Sequence, residues 1–459
     1  MSKLGSEVDI RNDEGQLASS FVRDCADAIS SNDQDQARVL IKDLHEADLA
    51  DLLELLSLDN RQALVGMLGK DLNYAALSEL DEAVRDDVLE VMPTETVVEA
   101  VRELDSDDAV YLLEDLDETE QEEILEKIPA PERTALKRSL EYPEDSAGRL
   151  MQSTFVAVPS FWTVGQTIDH MRETGDLPDN FFEIFVVDPG FHLKGTVPLS
   201  RVLRNLREKT IENIMDVEQT LIPADMDQEL VAYQFEQYNL LSAAVVDTDG
   251  RLVGVITVDD IVEVIHEEAH EDILRLGGVG DESLADSVLE TARGRFSWLL
   301  INLATAVLAS FVISLFDATI DQMVALAVLM PIVASMGGNA GTQTMTVAVR
   351  ALASRDLIAT NASRIITRET LVGLLNGILF AVIVGAVAVF WFGQTSLGIV
   401  IACAMVVNML VAAVFGILIP LLLDRLDIDP AVASGVFVTT VTDVVGFFSF
   451  LGLAALWLV

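Results

Sequence analysis

Histidine and cysteine are scarce in this sequence. The chain of 459 residues contains 5 His and 2 Cys, so a site that needs several imidazole or thiolate ligands has few residues to draw on. Cys25 and Cys403 lie in different halves of the chain, which predicts no disulfide framework and suits a reducing cytoplasm for the soluble half. The N-terminal stretch MSKLGSEVDI has no apolar core, so a cleaved signal peptide is not expected.

Basic residues are also few. There are 29 Lys and Arg against 74 Asp and Glu, for a formal net charge of −45. Residues 1–290 hold 22 basic and 66 acidic residues, whereas residues 291–459 hold seven Arg, no Lys and eight acidic residues. Because 51% of the chain is hydrophobic, we expect a very acidic soluble half and then a membrane half. This acidity argues against nucleic acid as a partner and favours cations, and the acidic surface of a halophile is a compatible explanation.

The second half contains five apolar stretches that satisfy the requirement of about 20 residues for a membrane-spanning helix. They lie near residues 296–316, 323–349, 371–392, 397–423 and 430–459. All seven arginines of this half lie before the first stretch, between the second and third stretches, or between the fourth and fifth stretches. The positive-inside rule therefore places the soluble half in the cytoplasm and the C-terminus outside, in a multi-pass protein of the plasma membrane.

The fifth stretch carries a carboxylate, Asp443, which costs about 3 kcal/mol or more at the centre of a bilayer. Gly435, Thr439, Asp443 and Gly446 recur at spacings of four, four and three residues, so they share one helix face. A carboxylate among small and hydroxyl residues predicts a water-filled path. The alternative is a hydrogen bond from Asp443 to an asparagine of another span, for which the candidates are Asn302, Asn376 and Asn408.

The second stretch is polar as well. Asn339 and its neighbours Thr342, Gln343 and Thr344 are too polar for a lipid-facing surface, and Gly337 and Gly341 allow close approach of another helix. The membrane half has no His and one Cys, so zinc and copper lack their usual ligands, whereas oxygen ligands suit hydrated Mg²⁺. Because five spans are few for a pore, we expect a homodimer in which a two-fold axis relates the two aspartates.

The soluble half begins with a repeat. Similar segments recur at Leu53, Leu77, Val101 and Leu113, with steps of 24, 24 and 12 residues. Each reads as a short amphipathic helix, an Asp-rich turn and a second helix, and stacking of such pairs predicts a superhelix. Most of its acidic residues are expected on a solvated outer face.

After Pro143 short strands alternate with helices, and this pattern also repeats. Residues 183–203 align with residues 242–262 at a shift of 59. The pair resembles tandem cystathionine-β-synthase (CBS) domains, which often bind adenosine nucleotides. That resemblance implies a ribose site at Thr257 and Asp260 in the second copy, whereas the first copy has Pro198 and Arg201 there.

One motif indicates a different class of function. The segment HEEAH (266–270) fits the H-E-x-x-H pattern of zinc peptidases, with His266 and His270 as ligands and Glu267 as base. A third ligand is not evident in the sequence, and Asp281 and Glu290 are the candidates. This motif lies in an acidic stretch where such a pattern arises easily by chance.

Several motifs together resemble the MgtE family of magnesium channels. They are PIVASMGGNAGTQTMTVAVRAL (331–352), DPAVASGVFVTTVTD (429–443), EEAHEDILRLGGV (267–279) and YPEDSAGRLM (142–151). The chain departs from the family at Val436, where Pro is usual, and at His270, where Thr is usual. The resemblance implies a Mg²⁺-selective channel, not an enzyme, with the pore on the axis of a homodimer and Asp443, Thr439, Gly435 and Asn339 lining it.

The resemblance also implies that cytosolic Mg²⁺ closes the channel by bridging acidic elements, including a "plug" helix at 267–279. The matching acidic positions are Glu229, Asp260, Glu263, Glu268, Glu271 and Asp272, together with Asp107 and Asp108. Two alternatives remain: a broader Co²⁺ or Mn²⁺ transporter regulated by ATP at the CBS pair, and a membrane sensor that does not transport.

The expected fold is therefore a multi-domain chain: an α-helical superhelix, an α/β tandem CBS pair and an all-α membrane domain of five helices. The expected boundaries are a tail at 1–35, the superhelix at 36–142, the two CBS domains at 143–212 and 213–265, a plug and connecting helix at 266–292, and the membrane domain at 293–459.

Overall fold

The computed structural model of this protein describes residues 10–42, 44–175, 177–178, 180–280, 288–358, 360–426 and 428–458. Its contacts divide the chain into an N-terminal unit, residues 1–266, and a C-terminal unit, residues 267–459. The N-terminal unit contains an all-helical part and a part with two small sheets. The C-terminal unit is helical throughout its described residues.

Among its described residues, the first part of the N-terminal unit contains nine α-helices. They are α1 Ser19–Ser30, α2 Gln34–Ile41, α3 Glu46–Leu55, α4 Leu58–Leu68, α5 Glu82–Leu89, α6 Thr94–Glu103, α7 Ser106–Glu114, α8 Glu118–Lys127 and α9 Ala130–Leu140. The four repeat positions Leu53, Leu77, Val101 and Leu113 are all buried in one shared core, which confirms the repeat. Residues 19–30 were expected in a tail, but α1 buries its apolar face in the same core.

In three of the four repeat units, the turn between the two helices is closed by a hydrogen bond from one side chain. This side chain belongs to the residue eight positions after Leu53, Leu77 or Leu113. The bonds run from Arg61 Nε to the Leu53 carbonyl (2.9 Å), from Arg85 Nη1 to the Leu80 carbonyl (3.2 Å) and from Gln121 Nε2 to the Leu113 carbonyl (2.8 Å). Arg61 and Arg85 also form ion pairs with Asp87 and Asp115. The third unit has Ala109 at this position, so its turn has no built-in cation there.

The second part of the N-terminal unit contains the two related α/β modules. Its elements are α10 Ala147–Leu150, β1 Ala157–Pro159, α11 Val164–Glu173, β2 Glu183–Val187, β3 Leu193–Pro198, α12 Leu199–Leu203, β4 Leu221–Pro223, α13 Gln228–Tyr238, β5 Ser242–Val246 and β6 Leu252–Thr257. The sheet orders are β1-β2-β3 and β4-β5-β6, each with one parallel and one antiparallel pair. Val186 pairs with Gly195 and Val245 with Gly254, which confirms the repeat at a shift of 59.

Helix α14, Val258–Leu276, follows β6 directly. Residues 267–276 of the expected plug helix form its second half, and the segment HEEAH lies near its middle. The helix therefore belongs in part to each unit, since the boundary between the units falls at His266.

The C-terminal unit continues with α15 Val288–Ser314, α16 Asp317–Gln322, α17 Ala325–Ala353, α18 Ala362–Phe392, α19 Thr395–Asp424 and α20 Pro430–Trp457. Five of these helices are long and apolar enough to cross a membrane within the described residues, which confirms the five expected spans. The connection at 317–322, expected as a loop, is the short helix α16. Helix α19 packs against α17, α18 and α20. A Cβ added at Gly341 would lie 2.5 Å from Val438 Cγ1, so the expected close approach of helices at this glycine is confirmed.

Candidate ion-binding sites

Helix α17 presents a polar face that no other described part of the chain covers. Five polar side chains on this face are exposed: Ser335, Asn339, Thr342, Gln343 and Thr346. Asn339 Nδ2 lies 3.4 Å from Ser335 Oγ, and Thr346 Oγ1 donates to the Thr342 carbonyl at 2.9 Å. The opposite face of the helix packs in the bundle through Val333, Gly337 and Gly341. Hydrocarbon offers no partner to amides and hydroxyls, so this polar face of α17 requires water or protein against it.

Asp443 lies on α20 and is half-buried. Among the described residues, no hydrogen bond or ion pair engages its carboxylate, so the alternative in which an asparagine holds it is not seen there. Asn302 instead bonds the Trp298 carbonyl of its own helix, and Asn408 bonds the Val333 carbonyl. One turn before Asp443, Thr439 Oγ1 donates to the Gly435 carbonyl at 2.9 Å.

The sequence pattern placed Gly435, Thr439, Asp443 and Gly446 on one face of α20, but in the structure these residues do not share one environment. Gly446 is buried, and a Cβ added there would lie 2.8 Å from Asn408 Nδ2. Gly446 therefore faces α19, whereas Gly435, Thr439 and Asp443 remain partly accessible. Asn339 and Asp443 lie on two helices, α17 and α20, that pack against each other.

An ion pair joins the end of α14 to the beginning of α20. Arg275 Nη1 lies 2.6 Å from Asp429 Oδ2, and Asp429 also caps α20 by accepting from the Ala431 amide at 2.7 Å. Arg275 pairs with Glu271 on its own helix as well. Burial and then the nearby charge of Asp429 raise the pKa of Asp272. Two of the expected regulatory acids, Glu271 and Asp272, are thus part of one charged contact with α20.

The N-terminal unit contains a second group of carboxylates, the acidic cluster, formed by Asp107 and Asp108 of α7 and Asp260 of α14. Burial and then the charge of Asp260 raise the pKa of Asp107 well above its ordinary range. Burial and neighbouring carboxylates raise the pKa of Asp108 to about 6 and that of Asp260 to about 7. Asp107 Oδ1 is buried without a hydrogen-bond partner among the described residues. The cluster adjoins Ala109, which takes the place of Arg61 and Arg85 in this unit and supplies no cation.

The remaining expected acids are not gathered into the same site. Glu229 on α13 and Glu263 on α14 are exposed, and Glu268 is partly exposed. In the described residues, no group of three or more His, Cys, Asp or Glu side chains is arranged to hold a metal ion. Direct coordination by the acidic cluster therefore does not fit this conformation. Binding through the ion's own water molecules does fit its unpartnered buried oxygen, because Mg²⁺ gives up its waters reluctantly.

At the expected nucleotide site, Asp260 is hydrogen-bonded to Thr257 of its own chain. Asp260 Oδ2 accepts from Thr257 Oγ1 at 2.8 Å and from the Thr257 amide at 3.3 Å. The adjoining cavity between the two CBS modules offers about 20 Å³, room for about one water molecule rather than a nucleoside. In the first copy Arg201 pairs with Asp216 at 2.7 Å, which is consistent with the loss of the ribose-binding pattern there.

The peptidase motif lies on an exposed stretch of α14, where His266 and His270 both face solvent. Asp281 and the side chain of Glu290, the candidates for a third ligand, lie outside what the structure describes. Two features were missed from the sequence, the pair of Arg275 with Asp429 and the missing cation at Ala109, and Asn408 was considered only as a partner of Asp443. Asp429 followed by Pro430 is itself a helix-start signal, so that cap was within reach of sequence reasoning.

Comparison with known proteins gives matches to three family models. A divalent cation transporter domain matches residues 330–453, an MgtE intracellular N domain matches residues 44–145, and a CBS domain matches residues 211–267. These matches cover about two thirds of the C-terminal unit, most of the superhelix and the second CBS copy.

Full-length relatives are also similar. The magnesium transporter MgtE of Thermus thermophilus is 35% identical over 332 residues, 71% of this chain and 73% of the relative. The proteins of the same name from Enterococcus faecalis and Bacillus subtilis are 33% and 31% identical, each over 71% of this chain and 72% of the relative. A crystal structure of the soluble part of a magnesium transporter is 26% identical, covers 55% of this chain and 98% of that chain, and has a TM-score of 0.48.

Proposed function

Because this chain belongs to the MgtE family of divalent cation transporters, we propose that its C-terminal unit is a channel that carries Mg²⁺ into the cell through a path lined by Asp443. The three relatives are named as magnesium transporters. Transport by a channel is passive, so the membrane potential drives the dication inward, with about 2.3 kcal/mol for each elementary charge at 100 mV.

The observation that carries the proposal is the unpartnered carboxylate of Asp443. A carboxylate at membrane depth is retained only where water, a cation or a partner compensates its charge. The described residues supply no such partner, and the side chain is partly accessible. A hydrated Mg²⁺ ion meets this requirement, since Asp443 would accept hydrogen bonds from its waters. The Thr439 hydroxyl donates to Gly435, which leaves its oxygen lone pairs to accept from the same waters.

The polar face of α17 supports a homodimer. Its side chains are exposed in a single chain although they lie in a helix long enough to span the membrane. A second copy related by a two-fold axis would bring two such faces together and enclose a hydrated path between them. Asn339 on α17 and Asp443 on α20 would then both line it.

We assign regulation to cytosolic Mg²⁺ acting at the acidic cluster and at the charged contact of α14 with α20. Like charges in the cluster repel until a dication binds, so occupancy favours the compact state. The chain supplies no arginine or lysine ion pair to the three carboxylates among its described residues, unlike Arg61 and Arg85 in the preceding units. A switch from mostly open to mostly closed needs about 5.5 kcal/mol of differential binding, which several weak sites supply together.

The distribution of the seven arginines supports a topology with the N-terminal unit in the cytoplasm and the C-terminus outside. The proposal rests on Mg²⁺ alone, and at the expected ribose site Asp260 is bonded to Thr257. The oxygen-only character of the proposed lining, which offers no nitrogen or sulfur ligand, disfavours softer ions such as Zn²⁺ and Cu²⁺.

The test is cation uptake into vesicles that contain the purified full-length protein. Asp443→Asn keeps the shape of the side chain and removes its charge, and we expect it to abolish Mg²⁺ flux. Asp424→Asn, which changes an exposed carboxylate at the end of α19, is the matched control and should transport normally. Competing Co²⁺ and Mn²⁺ in the same assay measure selectivity. Flux by folded Asp443→Asn at the unmodified rate would refute the proposal.

A further inference from the structure

Asn408 is a fully buried amide at the centre of the helix bundle. It lies on α19 with no exposed surface, and its Nδ2 donates to the Val333 carbonyl of α17 at 2.8 Å. Its Oδ1 has no hydrogen-bond partner among the described residues. An unsatisfied buried acceptor is unfavourable, so stability alone does not explain an asparagine here.

The amide occupies a slot that two glycines create. A Cβ added at Gly337 of α17 would clash with the Asn408 amide, and one added at Gly446 of α20 would lie 2.8 Å from its Nδ2. Asn408 thus separates α17 from α20 at a point where neither helix has a side chain of its own. The distance between these two helices depends on the side chain that stands between them.

Both ends of this contact are close in sequence to the proposed ion path. Gly337 precedes Asn339 by two residues, and Gly446 follows Asp443 by three. Helix α17 also contains Pro331, which lacks the amide hydrogen that would bond the helix carbonyl four residues earlier. The carbonyl left without this partner is that of Ala327, whereas Asn408 bonds the Val333 carbonyl and so ties α19 to α17 two residues after Pro331.

We propose that Asn408 is a positioning residue of the transport path: it fixes the separation of α17 and α20 and thereby sets which hydrated cations pass Asp443. This inference rests on the proposed function. Asn408 does not contact the ion. It acts through the helices that carry Asn339 and Asp443, so its replacement changes cation preference rather than removing an ion ligand.

The decisive variant is Asn408→Leu. Leucine has the branching of asparagine but is larger, and it removes both the donor and the unsatisfied acceptor, so we expect the relief of the buried acceptor to offset much of the added packing cost in thermal stability. We expect the ratio of Mg²⁺ to Co²⁺ flux to fall about tenfold, because a change of about 1.4 kcal/mol in the relative barriers has this effect. A role limited to packing would leave the ratio unchanged.

A second variant keeps the inference testable if Asn408→Leu does not fold. The double substitution Asn408→Ala with Gly337→Ala moves a methyl group into the space that the amide vacates, and we expect the same fall in the flux ratio. Asn302→Leu is the matched control, because Asn302 makes its bond within its own helix, and it should keep the unmodified ratio.

The assay is flux of Mg²⁺ and Co²⁺ into vesicles, normalised to folded protein by size-exclusion chromatography, with Asp443→Asn measured in parallel. Loss of flux in Asp443→Asn with an unmodified ratio in both Asn408 variants would overturn this inference and leave the proposed function intact. Unmodified flux in Asp443→Asn would overturn the proposed function. Failure of both Asn408 variants to fold would assign Asn408 to folding and also overturn the inference.

Discussion

Replacement of Asp107 by asparagine is expected to make the N-terminal unit less dependent on Mg²⁺ and on pH. Asp107 has a buried oxygen without a partner among the described residues, and its charge and that of Asp260 repel each other. The substitution removes one of the three like charges of the acidic cluster and keeps the shape of the side chain. Less charge repulsion then remains for a bound dication or a proton to relieve.

The sign of the pH effect follows from the pKa values. The pKa of Asp108 rises from 3.8 to about 6 in the folded chain and that of Asp260 from 3.8 to about 7. Between about pH 4 and pH 7 the folded state binds more protons than the unfolded state, so stability falls as the pH rises through this window. These shifts correspond to about 3 and about 4 kcal/mol. Because the two groups share neighbours, we expect about 4 kcal/mol in total, or a melting-temperature change of about 10 °C.

The measurement is thermal unfolding of the N-terminal unit in the full-length detergent-solubilised protein, at about pH 5 and about pH 8, with and without Mg²⁺. Without Mg²⁺ the unmodified protein should be less stable at the higher pH, and added Mg²⁺ should restore most of the loss there while having little effect at the lower pH. Asp107→Asn should reduce both differences, because it removes a titrating carboxylate that Asp260 repels. Vesicle flux should in parallel show weaker inhibition by Mg²⁺ on the cytosolic side.

Asp117→Asn is the matched control. Asp117 is an exposed N-cap residue of α8, and hydrogen bonds from the Glu120 and Thr119 amides lower its pKa. Asparagine caps a helix about as well as aspartate, so this substitution should leave the Mg²⁺ effect unchanged. Equal Mg²⁺ stabilisation in Asp107→Asn and the unmodified protein would show that the acidic cluster is not where the ion binds.

Three further outcomes follow from named contacts. Arg275→Ala breaks the pair with Asp429 and should raise the Mg²⁺ concentration needed for half-inhibition of vesicle flux by up to about five-fold, since ion pairs of this exposure contribute up to about 1 kcal/mol. Unchanged inhibition would contradict a role in closure. Gly337→Ala should destabilise the C-terminal unit by about 1–3 kcal/mol in thermal unfolding, whereas Gly338→Ala, which has open space around it, should not. Arg85→Ala should destabilise the superhelix by about 3–5 kcal/mol in chemical denaturation, because it leaves a buried carboxylate unpaired. A loss below about 1 kcal/mol would contradict this reasoning.

The helices of the C-terminal unit and the two α/β modules were predictable because each depends on a local pattern. A run of about 20 apolar residues defines a span whatever it packs against. In the same way, Val186 and Val245 occupy equivalent strand positions because the flanking turns and alternation are equivalent. The end of the first span was less certain, since residues 317–322 are polar enough for a loop but form α16.

The candidate sites depend on contacts between distant residues, which no local pattern reports. Arg275 and Asp429 are 154 positions apart, and Asp107 meets Asp260 across a similar interval. The different environments of Asp443 and Gly446 on α20 were equally unpredictable from the sequence, because Gly446 is buried against Asn408 of another helix. Ala109 is different: comparison of the repeat at its eighth position would have shown an alanine where the two earlier units have arginine.

The arginines of the superhelix have a consequence for how ion sensitivity is distributed. Arg61 and Arg85 are counter-ions that the chain carries with it, so the turns they close keep their form at any salt or metal level. The next unit along the chain, which carries Asp107 and Asp108 of the acidic cluster, has Ala109 at this position and so has no such counter-ion. The proposed sensitivity to Mg²⁺ therefore depends on one missing counter-ion beside the acidic cluster, and a substitution at that position would change it while the ion pairs of Arg61 and Arg85 remain.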